Sequence, residues 1–309
     1  MAEYYMPEPG DDYFKKMSTW LTTGKRFRPR FPRTVQVQTL SLCNAKCIFC
    51  PHKHSPDELP HGRMDDALFK KIIDECRGHL VGRVSPYLTN EPLMDKRMPK
   101  MLRYIHDSMP FFTKSKINTN GLLLSEEMGE ALIQAGLTHL WVSVNGYSEE
   151  TYRTSMGLDL NRVLTNIDTF LAAKSRLKRK TPKVIVTTIE TSVVKDEIEY
   201  ARKYWRTRDI VFKLHVMDNR AGAESLVFRD KGHKPRLKRD CDLFLQQAYI
   251  VENGDMIICC HDWRQSVKVG NVAESSIQEV WNSPRFIDRV REYTRGDFAN
   301  LEICSKCAS

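Results

Sequence analysis

Between residues 34 and 217 the chain alternates short β-rich runs with stretches whose apolar side chains recur every three or four positions. That alternation restricts the fold more than any other feature, because strands joined through helices pair in parallel. The strand runs are TVQVQTL (34–40), RVSPYL (83–88), KINTN (116–120), HLWVSV (139–144), KVIVTTIE (183–190) and IVFKLHV (210–216). Helical periodicity lies near 65–77, 95–108, 125–135, 159–178 and 195–205. Ser125 followed by Glu126 and Glu127 marks one helix start, and Gly136 marks its stop. The pattern predicts an α/β protein with a parallel sheet and crossover helices.

Past residue 217 the alternation fails. Residues 218–240 are polar, charged and glycine-containing and read as a linker, while 241–309 hold a hairpin, AYIVENGDMIICC, with Asn253-Gly254 as its turn. Short helices follow around IQEVWN and PRFIDRVREY. The expected organisation is an N-terminal extension 1–33, a barrel domain 34–217, the linker, and a C-terminal segment 241–309 too small to build much core without a metal staple. A chain of 309 residues with 41% hydrophobic content accommodates one large domain and a smaller one.

No run approaches the roughly 20 apolar residues of a membrane helix. The N-terminus, MAEYYMPEPGDDYF, is acidic where a signal peptide is basic and then apolar. A cytoplasmic, membrane-free protein is expected. The net charge of +9 is spread along the chain, and the one basic run, KSRLKRKTPK (174–183), reads as a solvated helix end. No basic motif interleaved with aromatics points to nucleic acid.

Eight of the nine cysteines form two groups, Cys43, Cys47 and Cys50 near the start and Cys241, Cys259, Cys260, Cys304 and Cys307 in the last quarter. The ninth, Cys76, lies in an apolar-periodic stretch and reads as a buried helix residue. Tight spacing in an intracellular chain points to metal. The first group, LSLCNAKCIFCPH, has the spacing C-x3-C-x2-C. Cubane clusters are commonly held by four cysteines, so three in one loop leave an iron open to an exchangeable ligand. A zinc site completed by His52 or His54 is the alternative reading of the loop.

This spacing, with Phe49 before the last cysteine, resembles the defining motif of the radical S-adenosylmethionine (radical SAM) superfamily. The resemblance implies a partial (β/α)6 TIM-like barrel whose open iron chelates SAM. One electron then cleaves SAM to methionine and a 5′-deoxyadenosyl radical, which removes a hydrogen atom from the substrate. LTNEP (88–92) stands where the family usually has GGEP, making Asn90 and Glu91 the expected contacts to the SAM amino group. INTNG (117–121) and VSVNG (142–146) resemble the next strand ends, with Ser143 and Asn145 as ribose or carboxylate contacts. TIETS (188–192) adds Glu190, although each such polar residue taken alone also reads as a turn or cap.

The set Cys241, x12, Gly254, x4, Cys259, closed by Cys304-x2-Cys307, resembles a SPASM domain shortened to the twitch form, which implies one auxiliary 4Fe-4S cluster with full cysteine ligation. Cys260 is the spare thiol. Facing the substrate it would return a hydrogen atom and give epimerisation; facing away it would be a small buried neighbour of a ligand, and the auxiliary cluster would take the second electron of an oxidation. The twitch resemblance points to a polar small molecule, a sugar, aminoglycoside or cyclitol, and 33 residues before the first strand are few for a peptide-recognition domain. A ribosomally made peptide is the alternative substrate, and a non-catalytic metal-binding interaction protein the alternative from another class. A flavodoxin- or ferredoxin-type electron donor is the expected partner. Tyr87, His215, Asp218 and Arg220 lie near strand ends and are candidates for the cavity wall.

Overall fold

Alternate side chains of a strand point to opposite faces, and the parity of the six strand runs decides what each face holds. In the computed structural model, which describes residues 4–5, 26–54, 59, 61–208, 210–223, 226–228, 241 and 243–308, these runs form β1 (Thr34–Val37), β2 (Arg83–Ser85), β3 (Lys114–Thr119), β4 (His139–Ser143), β5 (Lys183–Glu190) and β6 (Val211–Val216). All pair in parallel with their sequence neighbours. Val35, Val84, Ile117, Leu140 and Val186 face outward into a core completed by the helices, while Gln36, Asn118, Ser143 and Thr187 face an interior cavity.

The connecting helices are α1 (Asp66–Arg77), α2 (Met98–Ser108), α3 (Glu126–Gln134), α4 (Glu149–Met156), α5 (Leu160–Arg176) and α6 (Ile198–Arg206). Ser125 caps α3 through the Met128 N–H, and Gly136 follows at φ +83, as its sequence signals indicated. Cys76 is fully buried in α1. The basic run after α5 is a solvated helix end, with Lys178, Arg179 and Lys180 exposed. Helix α4 lacks a clear apolar periodicity because only Tyr152, Ser155 and Met156 are buried on it.

The C-terminal segment contributes α7 (Leu243–Gln246), β7 (Gln247–Ile250), β8 (Asp255–Ile257), β9 (Lys268–Asn271), α8 (Ile277–Trp281), α9 (Pro284–Arg295) and α10 (Glu302–Lys306). Strand β7 pairs in parallel with β1, Thr34 opposite Gln247 and Val37 opposite Ile250. The result is one nine-stranded sheet in the order β9-β8-β7-β1-β2-β3-β4-β5-β6. Ile250, Met256, Trp281 and Phe286 belong to the same hydrophobic core as the barrel residues, so the segment draws on the barrel for its packing. Strands β7 and β8 form the expected hairpin. Its turn is one step longer than an Asn253-Gly254 pair: Gly254 N–H donates to Val251 O at 2.9 Å, leaving Glu252 and Asn253 at the corners. Gly254 takes the left-handed position at φ +92.

Most of the 1–33 extension and of the 218–240 linker lies outside the described residues, as does the His54 side chain. No helix among the described residues is long and apolar enough to cross a membrane.

Candidate active site

The loop after β1 carries Cys43, Cys47 and Cys50, and its backbone is held by the end of α4. Lys46 N–H donates to Met156 O at 3.1 Å and Ile48 N–H to Ser155 O at 3.0 Å. Carbonyls in the last turn of a helix have no intrahelical donor, so α4 supplies acceptors that fix the loop. All three cysteines line a cavity of about 430 Å³ at the C-terminal ends of the barrel strands, where parallel barrels carry their chemistry. Burial, reinforced by Glu91 and Cys50, pushes the Cys43 thiol up to about 12. Burial, then Cys50 and Cys43, pushes Cys47 the same way. Two buried thiols that resist ionisation, with a third beside them, are suited to cationic iron, which takes them as thiolates.

The 88–91 segment borders the same cavity. Glu91 is buried and accepts from Thr119 Oγ1 at 2.6 Å, Asn120 N–H at 2.8 Å and Leu93 N–H at 3.0 Å. Burial pushes its carboxyl up to about 7 against these three bonds. Its oxygens therefore tie the 88–91 loop to the end of β3. The neighbouring Asn90 accepts from Leu88 N–H at 3.1 Å through its oxygen, and its Nδ2 is buried without a partner among the described residues. That unmatched donor suits a carboxylate or hydroxyl oxygen of a ligand better than an ammonium group.

Ser143 lines the cavity and donates to Asn118 Oδ1 at 3.3 Å. Asn145 lines it too, but its Oδ1 accepts from Ile189 N–H at 2.7 Å and its Nδ2 contacts Met156 Sδ at 3.4 Å. Asn145 thereby braces β5 and α4 from the cavity wall. Glu190 is not among the cavity residues: Thr187 and Ile189 of β5 are, and strand alternation turns the next residue to the other face.

In the second cysteine group, Cys241 lies close enough to act on both Cys259 and Cys304. Burial, together with Cys241 and Cys307, pushes Cys304 up to about 12. The bond from Cys260, then burial, pushes Cys259 up, with Cys241 adding to it, and the same bond pushes Cys260 down. Were Cys259 bound to a cluster as its thiolate, the proton of the pair would stay with Cys260. Among the described residues no three His, Cys, Asp or Glu side chains are gathered for a single metal ion; a cubane, with four irons, spreads its thiolates more widely.

Of the five C-terminal cysteines Cys260 is the one that lines the central cavity. It packs against the cluster of Tyr249, Val251 and Ile257, as Leu88 does. Nearby, Asp218 accepts from Arg220 N–H at 3.0 Å and lies 3.5 Å from His261 Nε2. Asn219 holds this corner to the chain end through Lys306 O at 2.6 Å and Ala308 N–H at 2.8 Å. Arg220 and Ala221 both adopt positive φ, +46 and +58, a conformation that L-residues rarely take without outside constraint. Tyr87, His215, Asp218 and Arg220 all line the cavity, as their strand-end positions suggested.

Lys116 and Trp141 also line it and were not singled out in the sequence. The signal was period-two parity: Lys116 stands two before Asn118 on β3, and Trp141 two before Ser143 on β4.

Comparison with known proteins agrees with this geometry. The model of the radical SAM superfamily matches residues 37–204, and that of SPASM, an iron–sulfur cluster-binding domain, matches 241–308. The S-adenosyl-L-methionine-dependent 2-deoxy-scyllo-inosamine dehydrogenase of Niallia circulans is 21% identical over 277 residues, 88% of this chain and 91% of that protein. GTP 3',8-cyclase of Nautilia profundicola is 30% identical over 176 residues, 54% of this chain and 52% of that protein. Two solved structures share the fold. BtrN in complex with AdoMet and 2-DOIA gives a TM-score of 0.62 at 20% identity, over 89% of this chain and 92% of its own. SuiB of Streptococcus suis bound to precursor peptide SuiA gives 0.70 at 13%, over 94% of this chain and 74% of its own. The chain belongs to the radical SAM superfamily, and as a radical SAM enzyme with a C-terminal SPASM segment it uses S-adenosylmethionine and 4Fe-4S clusters.

Proposed function

We propose that this enzyme removes a hydrogen atom from a C–H bond of a polar small molecule, a sugar, aminoglycoside or cyclitol, and that the carbon is epimerised with Cys260 as hydrogen donor. The observation that carries this reading is that Cys260 lines the cavity into which Cys43, Cys47 and Cys50 open. In this reading those three cysteines hold the SAM-binding cluster, and Cys241, Cys259, Cys304 and Cys307 hold one auxiliary 4Fe-4S cluster. Asn90, through its free Nδ2, and Ser143 contact SAM, while Glu91 and Asn145 keep the strand ends in register.

Bound there, SAM and the first cluster would supply a 5′-deoxyadenosyl radical by one-electron reductive cleavage, the electron coming from the external donor and methionine leaving, and the substrate hydrogen would pass to that radical. Cys260 then breaks its S–H bond to form the new C–H bond on the opposite face of the substrate carbon. The sulfur-centred radical left on Cys260 returns to a thiol with one electron and one proton, the electron coming from an external flavodoxin- or ferredoxin-type donor. The cluster of Tyr249, Val251 and Ile257 packs against Cys260 and limits the thiol's approach to the cavity side.

Two observations favour other outcomes. The Niallia circulans relative is named as a dehydrogenase, which supports oxidation of a secondary alcohol. The fold is also that of SuiB, crystallised with its precursor peptide, which supports a peptide substrate.

Turnover of a sugar, aminoglycoside and cyclitol panel in deuterated water separates these readings. Epimerisation predicts one solvent deuterium at the inverted carbon, since a thiol proton exchanges with solvent, and loss of turnover in Cys260→Ala. Product without solvent deuterium, or unchanged turnover in Cys260→Ala, excludes the epimerase form. A product two hydrogens lighter establishes the dehydrogenase.

A further inference from the structure

Cations gather around Lys116 on the cavity wall, with Arg83 and Lys213 beside it and outside the lining. Lys116 Nζ lies 3.4 Å from the centre of the Trp141 ring, and Lys213 Nζ lies 4.8 Å from the same ring. Arg83 stands on the neighbouring strand β2, with Nη2 donating to Gln247 Oε1 at 3.2 Å and Nε buried without a partner among the described residues. Trp141 Nε1 is likewise a buried donor without an acceptor among the described residues. Among the described residues Lys116, Lys213 and Arg83 form no ion pair. An aromatic face attracts one cation modestly, and it cannot balance three.

The cavity's own carboxylates do not meet this charge. Glu91 is occupied by Thr119, Asn120 and Leu93, and Asp218 by Arg220 and His261. The effect on titratable neighbours is consistent: burial first, then Arg83 and Lys213, push Lys116 down to about 7. His215 is pushed down by burial and then by Lys116, Lys213 and Arg220. Buried donors without acceptors and clustered cations without carboxylates are what an absent anion leaves behind.

We propose that the end of the cavity around Lys116 and Trp141 is an anion subsite, and that the substrate carries a phosphate or carboxylate that docks there. This rests on the small-molecule reading above and narrows it. A cationic aminoglycoside would meet like charge at Lys116, whereas a sugar phosphate or sugar acid would place its anion on Lys116 and Trp141 Nε1. Its carbon skeleton would then extend toward Cys260 and the first cysteine group. Lys116 is on this view a specificity-determining residue.

The test is calorimetric titration of inorganic phosphate and of acetate into anaerobically reconstituted, SAM-loaded protein at low ionic strength. The wild type is expected to bind at least one of the two, and the tighter of them names the group. Lys116→Met is expected to weaken binding roughly tenfold or more, and the exposed Lys213→Met to weaken it less. Iron content and the thermal midpoint of both variants establish that they are folded. Glucosamine is expected not to displace the bound anion.

Absence of anion binding in the wild type, or equal binding in Lys116→Met, overturns the proposal. Equal weakening of SAM affinity in Lys116→Met also overturns it, because the anion would then be SAM's own carboxylate. Displacement of phosphate by an acidic peptide but not by sugar phosphates keeps the subsite and removes the small-molecule reading, so the two failures are distinguishable.

Discussion

Lys46 N–H donates to the Met156 carbonyl at 3.1 Å, and through this bond the last turn of α4 holds the loop that carries the first three cysteines. Gly157 ends α4 at φ +70, with its N–H returned to Arg153 O. A β-branched side chain there costs on the order of 1–2 kcal/mol through left-handed strain. Gly157→Val should therefore lower the iron bound by the first site and the yield of SAM cleavage, and Gly157→Ala should do so less. Iron assay after reconstitution checks it; unchanged iron in both variants would show that the loop does not depend on α4.

A second prediction concerns the brace between the 88–91 loop and β3. Thr119→Val removes the 2.6 Å bond to Glu91 and leaves a buried carboxyl with one donor fewer. The expected loss is about 1–3 kcal/mol, read from urea unfolding of the apoprotein. Thr119→Ser keeps the hydroxyl and should restore most of it.

The two cysteine groups should separate by iron count. Two 4Fe-4S clusters give about eight irons per chain. Alanine at Cys43, Cys47 and Cys50 together should remove about half of the iron and all SAM cleavage. Cys304→Ala should reduce the iron of the other half and leave SAM cleavage in place. Loss of SAM cleavage in a well-folded Cys304→Ala would mean that the two sites are not independent.

Lys116 sets a pH dependence. Its folded value, about 7, lies below the ordinary 10.5. The unfolded chain therefore binds more protons than the folded one between these values, and stability rises with pH across that window. Below pH 7 both states are protonated and the full penalty is present. Lys116→Met should remove this dependence and be the more stable protein near pH 7, with the difference shrinking toward pH 10. Guanidinium midpoints of both proteins at pH 6, 7, 8, 9 and 10 measure it; parallel profiles would contradict the burial of this lysine.

The barrel was legible in the sequence because its strands alternate and its helices are amphipathic. Residues 183–190 form a strand with the same limits as read from the chain, and α3 starts and stops at its Ser125 and Gly136 signals. The cysteine loop was legible because local spacing carries its chemistry. Helix α4 was not, since only three of its residues are buried and one of them is Ser155; its Ser148 cap, two acids and Gly157 stop repeat the signature read at Ser125. The Glu190 expectation overlooked strand parity, which presents Thr187 and Ile189 to the cavity. Pairing of β7 with β1 joins residues more than 200 apart in the chain, a contact that no local pattern encodes. The same holds for the meeting of Cys260 with Cys43, Cys47 and Cys50 around one cavity.

The most direct test of the account is SAM cleavage by the anaerobically reconstituted, chemically reduced protein. The prediction is formation of 5′-deoxyadenosine and methionine in equal amounts by the wild type and none in Cys47→Ala. Intact SAM after incubation with a fully iron-loaded, reduced wild type, or cleavage that persists in Cys47→Ala, would contradict it.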